Sequence, residues 1–281
     1  MDELLVQKSL PLVTIGIPVY NTENYIRFTL QSILSQTYTN WLLIIINDGS
    51  TDNSEAIIRE YLHDKRIKLI NGHNTGYVIR LNQLINLCET KYYFRMDADD
   101  IMHPERLERQ IKVMENNPEI DVLGTNAYSI DGDNFVTGVR LNYKDVDYLK
   151  NVTSFIHPTV MGKTQWFKDN LYDEEILRIE DLELWHRMAG CSNFKIITNP
   201  LLFYREVGNG YFRKYSAISK SRKRIKEKYG NDPFWTKFFI KNTINGFIYR
   251  IFNLFNKEQT LVNKRNKVIF NERLSYENYI S

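Results

Sequence analysis

Three stretches of the 281-residue chain gather side chains that can do chemistry, and the densest is Arg95-Met96-Asp97-Ala98-Asp99-Asp100. It follows the apolar run Tyr92-Tyr93-Phe94, so three carboxylates stand where a strand gives way to a loop. Like charges this close repel unless a cation neutralises them. Their hard oxygens suit Mg²⁺ or Mn²⁺, completed by a diphosphate and water. A plainer reading makes them caps for a helix starting near Pro104, but one capping Asp leaves the other carboxylates unexplained. The second stretch, Asn47-Asp48-Gly49-Ser50-Thr51-Asp52, is a turn cluster closing the apolar run 41–46. A carboxylate there can accept a hydrogen bond from the imide N–H of a uracil ring. Pro18-Val19-Tyr20-Asn21, closing a neighbouring strand, offers backbone contacts and an aromatic wall beside the base. The third stretch, Arg178-Ile179-Glu180-Asp181-Leu182-Glu183-Leu184-Trp185, opens a helix with an acidic pair. Two readings fit its spacing equally: complementarity to the helix dipole, and a general base that deprotonates an acceptor hydroxyl. No G-x-G-x-x-G and no Walker sequence occurs, which disfavours dinucleotide and P-loop chemistry.

The elements that must position these groups alternate. Residues 13–19 form a β-branched run expected to be a buried parallel strand. A helix follows with Ile26, Leu30, Ile33 and Leu34 on one face, then a strand over 41–46 and a helix through Ile57, Ile58, Tyr61 and Leu62. A strand at 67–70, a helix from about Tyr77 to Leu87 and a strand at 92–96 complete the pattern. Such β-α-β units predict a parallel sheet with helices on both faces, whose ligands collect at the carboxyl ends of the strands. Beyond Pro104 the pattern loosens: a helix over 105–116, a strand over 122–128, a turn at 131–134, an extended stretch over 152–162, helices at 164–169 and 180–189, and two short strands flanking Asn199-Pro200. With no repeat or linker, residues 1–210 read as one domain, with a nucleotide-binding half over about 10–103 and an acceptor half over about 104–210.

Composition is that of a globular protein, with 43% hydrophobic and 25% charged residues. No uncharged apolar run is long enough to span a bilayer, and Met1-Asp2-Glu3-Leu4-Leu5 does not read as a signal peptide. Cys88 and Cys191 match no metal spacing and read as structural thiols of a reducing compartment. The net charge of +3 conceals an asymmetry: residues 211–281 hold 16 Lys+Arg and 5 Asp+Glu, hence +11, leaving −8 on the first 210. In this tail, expected to be helical, cations interleave with aromatics from Arg213 to Phe255. That pattern suits an anionic membrane surface, with packing on the domain as the alternative. Nucleic acid ranks third and is not expected as a partner, since no recognised binding module accompanies the charge.

In their order, these motifs resemble the family 2 glycosyltransferases of the GT-A fold, from Val13 to about Arg205. Besides the three stretches, the likeness rests on Ser32-Ile33-Leu34-Ser35-Gln36-Thr37-Tyr38, Asn74-Thr75-Gly76, Pro104-Glu105-Arg106-Leu107 and His157-Pro158. The resemblance implies an α/β GT-A fold, a Rossmann-like, mostly parallel central sheet flanked by helices, with the tail as a helical extension. It implies that Asp48 pairs with the base, that Pro18, Tyr20 and Asn21 line the nucleotide pocket, and that Asp97 and Asp99 bind Mn²⁺ or Mg²⁺, with Asp99 the direct ligand. Asp181 would be the catalytic base and Glu180 would shape the acceptor site. Arg80 would reach the donor phosphates or lie on the surface. His157, Trp185 and Arg205 would contact acceptor or diphosphate, with a purely structural histidine as the alternative for His157. The implied activity is inverting transfer from a nucleotide-sugar donor, a UDP-sugar, to a saccharide or lipid-linked acceptor in surface-polysaccharide or lipopolysaccharide assembly. The implied location is the cytoplasm, or the inner face of the cytoplasmic membrane. The rivals are a polyprenyl-phosphate glycosyltransferase and a non-catalytic nucleotide-sugar-binding protein. One departure stands out: Val207 takes the place of a late histidine near the diphosphate, leaving Arg205 to compensate by charge.

Overall fold

The computed structural model describes residues 13–142, 149–207 and 210–280; the N-terminal reading of residues 1–5 lies outside them. The alternation forms as expected: β1 (Val13–Val19), α1 (Ile26–Leu34), β2 (Trp41–Asn47), α2 (Ser54–Arg59), β3 (Ile67–Asn71), α3 (Tyr77–Leu87) and β4 (Tyr92–Arg95). β1 is buried along its whole length, as a central strand covered on both faces must be. It pairs in parallel with β2 and β4, and β2 pairs in parallel with β3. All four strands therefore end on one side, carrying Tyr20, Asp48 and Asp97 to the same rim. α1 buries Ile26, Leu30 and Ile33, but Leu34 is exposed, so the apolar stripe is narrower than expected.

The second half comprises β5 (Ile101–Met102), α4 (Arg106–Asn116), β6 (Val122–Ile130), β7 (Phe135–Arg140), β8 (Leu149–Asn151), β9 (Met161–Lys163), α5 (Thr164–Asp169), α6 (Glu180–Met188) and β10 (Phe194–Arg205). β9 lies antiparallel between β4 and β6, so the sheet is parallel through its first half and mixed beyond β4. The expected pair of strands around Pro200 is one twelve-residue strand. Pro200 lacks an N–H for the ladder, and register shifts on either side of it absorb the gap. The stretch 152–162, expected to be extended, contains a 3₁₀ turn at His157–Thr159 and becomes strand only at Met161.

The tail holds α7 (Tyr211–Ile218), α8 (Arg222–Tyr229), α9 (Pro233–Leu254), α10 (Glu258–Asn263) and β11 (Val268–Ser275). It is not purely helical: β11 pairs antiparallel with β7 and extends the sheet. Nor is it detached. Ile225, Trp235 and Phe239 bury against Ile176 and Ile179, while Phe270, Tyr276 and Tyr279 pack beside Ile130, Val136 and Phe203. Of the two thiols, Cys88 is buried beside Thr90 and Thr164, whereas Cys191 is exposed and has no structural burial.

Candidate active site

The first wall of the site is the rim of the parallel strands. Gly49 turns the chain after β2 with φ +73°, and an added Cβ would sit 2.9 Å from the Asn74 amide nitrogen, so only glycine fits. Asn21, with φ +52°, ties the β1 turn to the β2 loop: its Oδ1 accepts from Thr51 N (2.8 Å) and its own N–H donates to Ser50 Oγ (3.0 Å). Tyr20 stands 49% exposed beside this turn, free to cover a planar base, while Pro18 is buried within β1. Asp48 is buried where α3 begins. Its Oδ1 accepts from Thr75 N (2.8 Å) and Arg80 Nε (2.7 Å), and its Oδ2 from Gly76 N (3.0 Å). Burial works to raise the Asp48 pKa, but these donors outweigh it and hold the carboxyl below its ordinary value. Oδ2 keeps acceptor capacity, since each carboxylate oxygen takes two donors. Arg80 is neither a surface arginine nor free to reach phosphates: it is buried, paired with Asp48, and also donates to His73 O and Gln83 Oε1.

The second wall is the aspartate loop after β4. Carboxylate oxygens of Asp97, Asp99 and Asp100 lie within 4.8 Å of one another. Burial, then the neighbouring Asp97 charge, pushes the Asp99 carboxyl up to about 6. Asp100 is fully buried and its pKa is raised well above the ordinary range by burial and by Asp99 and Asp97. One Asp100 oxygen accepts from the Arg205 backbone N–H at 2.8 Å, and the other has no partner among the described residues. A cluster of hard oxygens this close together fits a divalent cation held by Asp97 and Asp99, with Asp100 anchoring the loop. Arg205 is also an anchor. Its Nε donates to Asp99 O (2.7 Å), its other nitrogens donate to Asp131 O and Asn134 Oδ1, and the guanidinium stacks over Tyr25. With these bonds made it sets the position of the loop and of the 131–134 turn rather than holding a diphosphate. Val207 is exposed and supplies no metal or phosphate ligand.

The third wall is the start of α6. Arg178, at φ +69°, turns the chain into the helix. Glu180 is 5% exposed, its Oε2 has no partner among the described residues, and burial followed by repulsion from Asp181 raises its carboxyl to about 8. Asp181 is the accessible member, with its side chain 26% exposed and its pKa raised mainly by burial. His157 Nδ1 lies 3.9 Å from Asp181 and its Nε2 bonds the Tyr172 hydroxyl at 2.8 Å. Burial and then the Arg95 charge hold His157 well below its ordinary pKa, so the ring is neutral and the Asp181 contact is no ion pair. Trp185 does not face the site: it is 1% exposed and packs edge-on against Phe155 and Phe194. An aromatic one turn after an acidic pair looks like a ligand wall in sequence, but helical spacing turns it into the core.

Arg95 is the residue that motif reading passed over. It is 2% exposed, donates to Asp97 Oδ1 at 2.6 Å and to the Tyr77 hydroxyl, and lies close enough to shift Glu180, Asp181 and His157. One buried cation thus sits between the metal-type carboxylates and the base-type pair. A hollow lined by Thr37, Tyr38, Glu108 and Ile111 lies at the opposite, amino end of β2 and contains none of these groups.

A nucleotide-type rim of parallel strands, an aspartate cluster at its edge and a carboxylate pair opposite define a glycosyltransferase of the GT-A type. The chain belongs to glycosyl transferase family 2, whose family model matches residues 14–178. An uncharacterized glycosyltransferase of Methanocaldococcus jannaschii is 33% identical over 257 residues, covering 85% of this chain and 89% of the relative. An uncharacterized glycosyltransferase of Haemophilus influenzae is 30% identical, covering 96% and 86%. Among solved structures, residues 1–349 of Staphylococcus aureus TarS in complex with UDP-GlcNAc share the fold, with a TM-score of 0.59 at 16% identity over 82% of this chain and 71% of that one.

Proposed function

We propose that the chain catalyses inverting transfer of a sugar from a UDP-sugar to a hydroxyl of a saccharide or lipid-linked saccharide acceptor, in the assembly of a surface polysaccharide or lipopolysaccharide. The observation that carries this reading is the placement of Asp181, accessible and raised in pKa, across buried Arg95 from the Asp97–Asp99 pair. The uracil ring lies against Tyr20, and its imide N–H donates to the remaining acceptor site of Asp48 Oδ2. Asp97 and Asp99 hold Mg²⁺ or Mn²⁺, which when bound supplies Lewis-acid stabilisation of negative charge on the departing diphosphate. Asp181 takes the proton of the acceptor hydroxyl as its oxygen attacks the anomeric carbon. The new C–O bond forms as the bond to the diphosphate oxygen breaks, the electron pair leaves with the nucleoside diphosphate, and the anomeric configuration inverts. Glu180, protonated near neutrality, adds no second negative charge beside the base. The UDP-GlcNAc complex of TarS supports a nucleotide-sugar donor on this fold.

The test is turnover of a nucleotide-sugar panel with Mn²⁺ and hydroxyl acceptors. Asp181→Asn is expected to lower transfer by about 10²–10⁴-fold, the range of a positioned general base, while UDP affinity stays within about twofold. Full transfer by Asp181→Asn onto a polyprenyl phosphate would instead favour the phosphate-acceptor rival, because an ionised phosphate needs no base.

A further inference from the structure

The tail's longest helix is apolar on two opposite sides. The inner side of α9 buries Trp235, Phe239 and Tyr249 against the body and against α7 and α8. The outer side exposes Ile240, Ile244, Phe247, Ile251 and Leu254, with Phe247 67% and Leu254 76% exposed. Steps of four and three residues keep these side chains on one stripe along the helix. A helix that is apolar all round is one that is covered all round, yet none of the described residues covers this stripe. Lys237, Lys241 and Arg250 are exposed and make no ion pair among the described residues, and α9 contains no Asp or Glu.

From the stripe and its cationic borders we infer that the outer face of α9 docks the enzyme on an anionic lipid surface. The charges decide the occupant. A second copy seated stripe to stripe would meet a border of its own sign, whereas an anionic headgroup layer complements it, and the acyl boundary takes the apolar ridge. No described helix is long and apolar enough to cross a bilayer, so α9 lies on the surface instead of spanning it. The helix is already folded and anchored by Trp235 and Phe239, so docking carries little of the ordering cost that a disordered segment meets. Arg224 and Lys228 take no part, because they are committed to Asp173. This inference is independent of the catalytic reading.

The experiment is cosedimentation of the full chain with sucrose-loaded vesicles of phosphatidylcholine alone or mixed equally with phosphatidylglycerol. The protein is expected to pellet with the mixed vesicles at least tenfold more strongly than with the neutral ones, and to be released as salt rises. Replacing Lys237, Lys241 and Arg250 together by Gln should lower partitioning by about 100-fold, at roughly tenfold or less per cation. Phe247→Glu with Ile251→Glu should abolish it. Unchanged melting temperature and UDP binding, checked on both sets and on a Phe247→Ser variant, show that the fold is intact. Intact protein left in the supernatant with both vesicles overturns the inference. So does pelleting unaffected by the stripe variants, or a lipid-free dimer that Phe247→Glu dissolves without any vesicle binding.

Discussion

Arg95 and Glu180 show how individual charges are balanced at this site. Arg95 bonds Asp97 and lowers the cost of the negative charges around it, while two of its nitrogens have no partner among the described residues. Arg95→Met, which keeps bulk and removes charge, is therefore expected to cut transfer strongly and to raise the apparent pKa of the base limb in the kcat/KM–pH profile; an unmoved profile would rule out the electrostatic role. Glu180 makes a stability prediction. Its carboxyl rises from 4.5 to about 8 on folding, so between those values the native state binds more protons than the unfolded state. Stability then falls as pH climbs through that window, and the half-buried Asp99, raised to about 6, acts in the same direction over the lower part of it. Glu180→Gln should raise the melting temperature at pH 8 relative to pH 5, giving a flatter profile than wild type. Equal pH slopes for both proteins would contradict the burial assigned to Glu180.

At the scale of elements, what was legible in the sequence followed the physics of pattern. β1, β2 and β3 read correctly because β-branched runs ended in turn residues, and α3 begins at Tyr77 as expected because Gly76, at φ +109°, marks the start of the helix. The aspartate loop and the Glu180-Asp181 pair were visible as unusual carboxylate density. The partners of those groups were not, since Arg80–Asp48 and Arg205–Asp100 join residues 32 and 105 apart. β11 went unread because most of its side chains are exposed and show no clean alternation. The Asp48–Arg80 pair links β2 to α3 with both side chains under 10% exposed, so Asp48→Ala leaves a buried cation unpaired. It should cost about 3–5 kcal/mol in denaturant unfolding; a loss below about 1 kcal/mol would show that water reaches Arg80. Asp48→Asn, which spares more of the fold, is the variant for testing base recognition.

Over the whole molecule, part of the charge asymmetry is internal. The acidic body and basic tail meet through Arg224–Asp173, Lys228–Glu183, Arg265–Glu206 and Arg273–Asp133, so the +11 of the tail is not all free for a partner. Glu258, itself buried, accepts from the N–H groups of Gly210 and Phe212 and closes the start of α7. Truncation after Gly210 would uncover Ile176 and Ile179 and leave Glu183 and Glu206 without tail partners. It should yield an aggregating protein with a lowered melting temperature, and unchanged cooperative unfolding would mean the tail adds no stability. A UDP-binding donor site is the core of the proposed function. Its most direct measurement is calorimetric titration of UDP into wild type and Asp99→Asn, with Mn²⁺ and with EDTA. Wild type is expected to bind UDP with Mn²⁺ and to lose at least tenfold in affinity in EDTA, as should the variant with Mn²⁺; no UDP binding in any condition, or equal affinity in all, would refute metal-assisted donor binding.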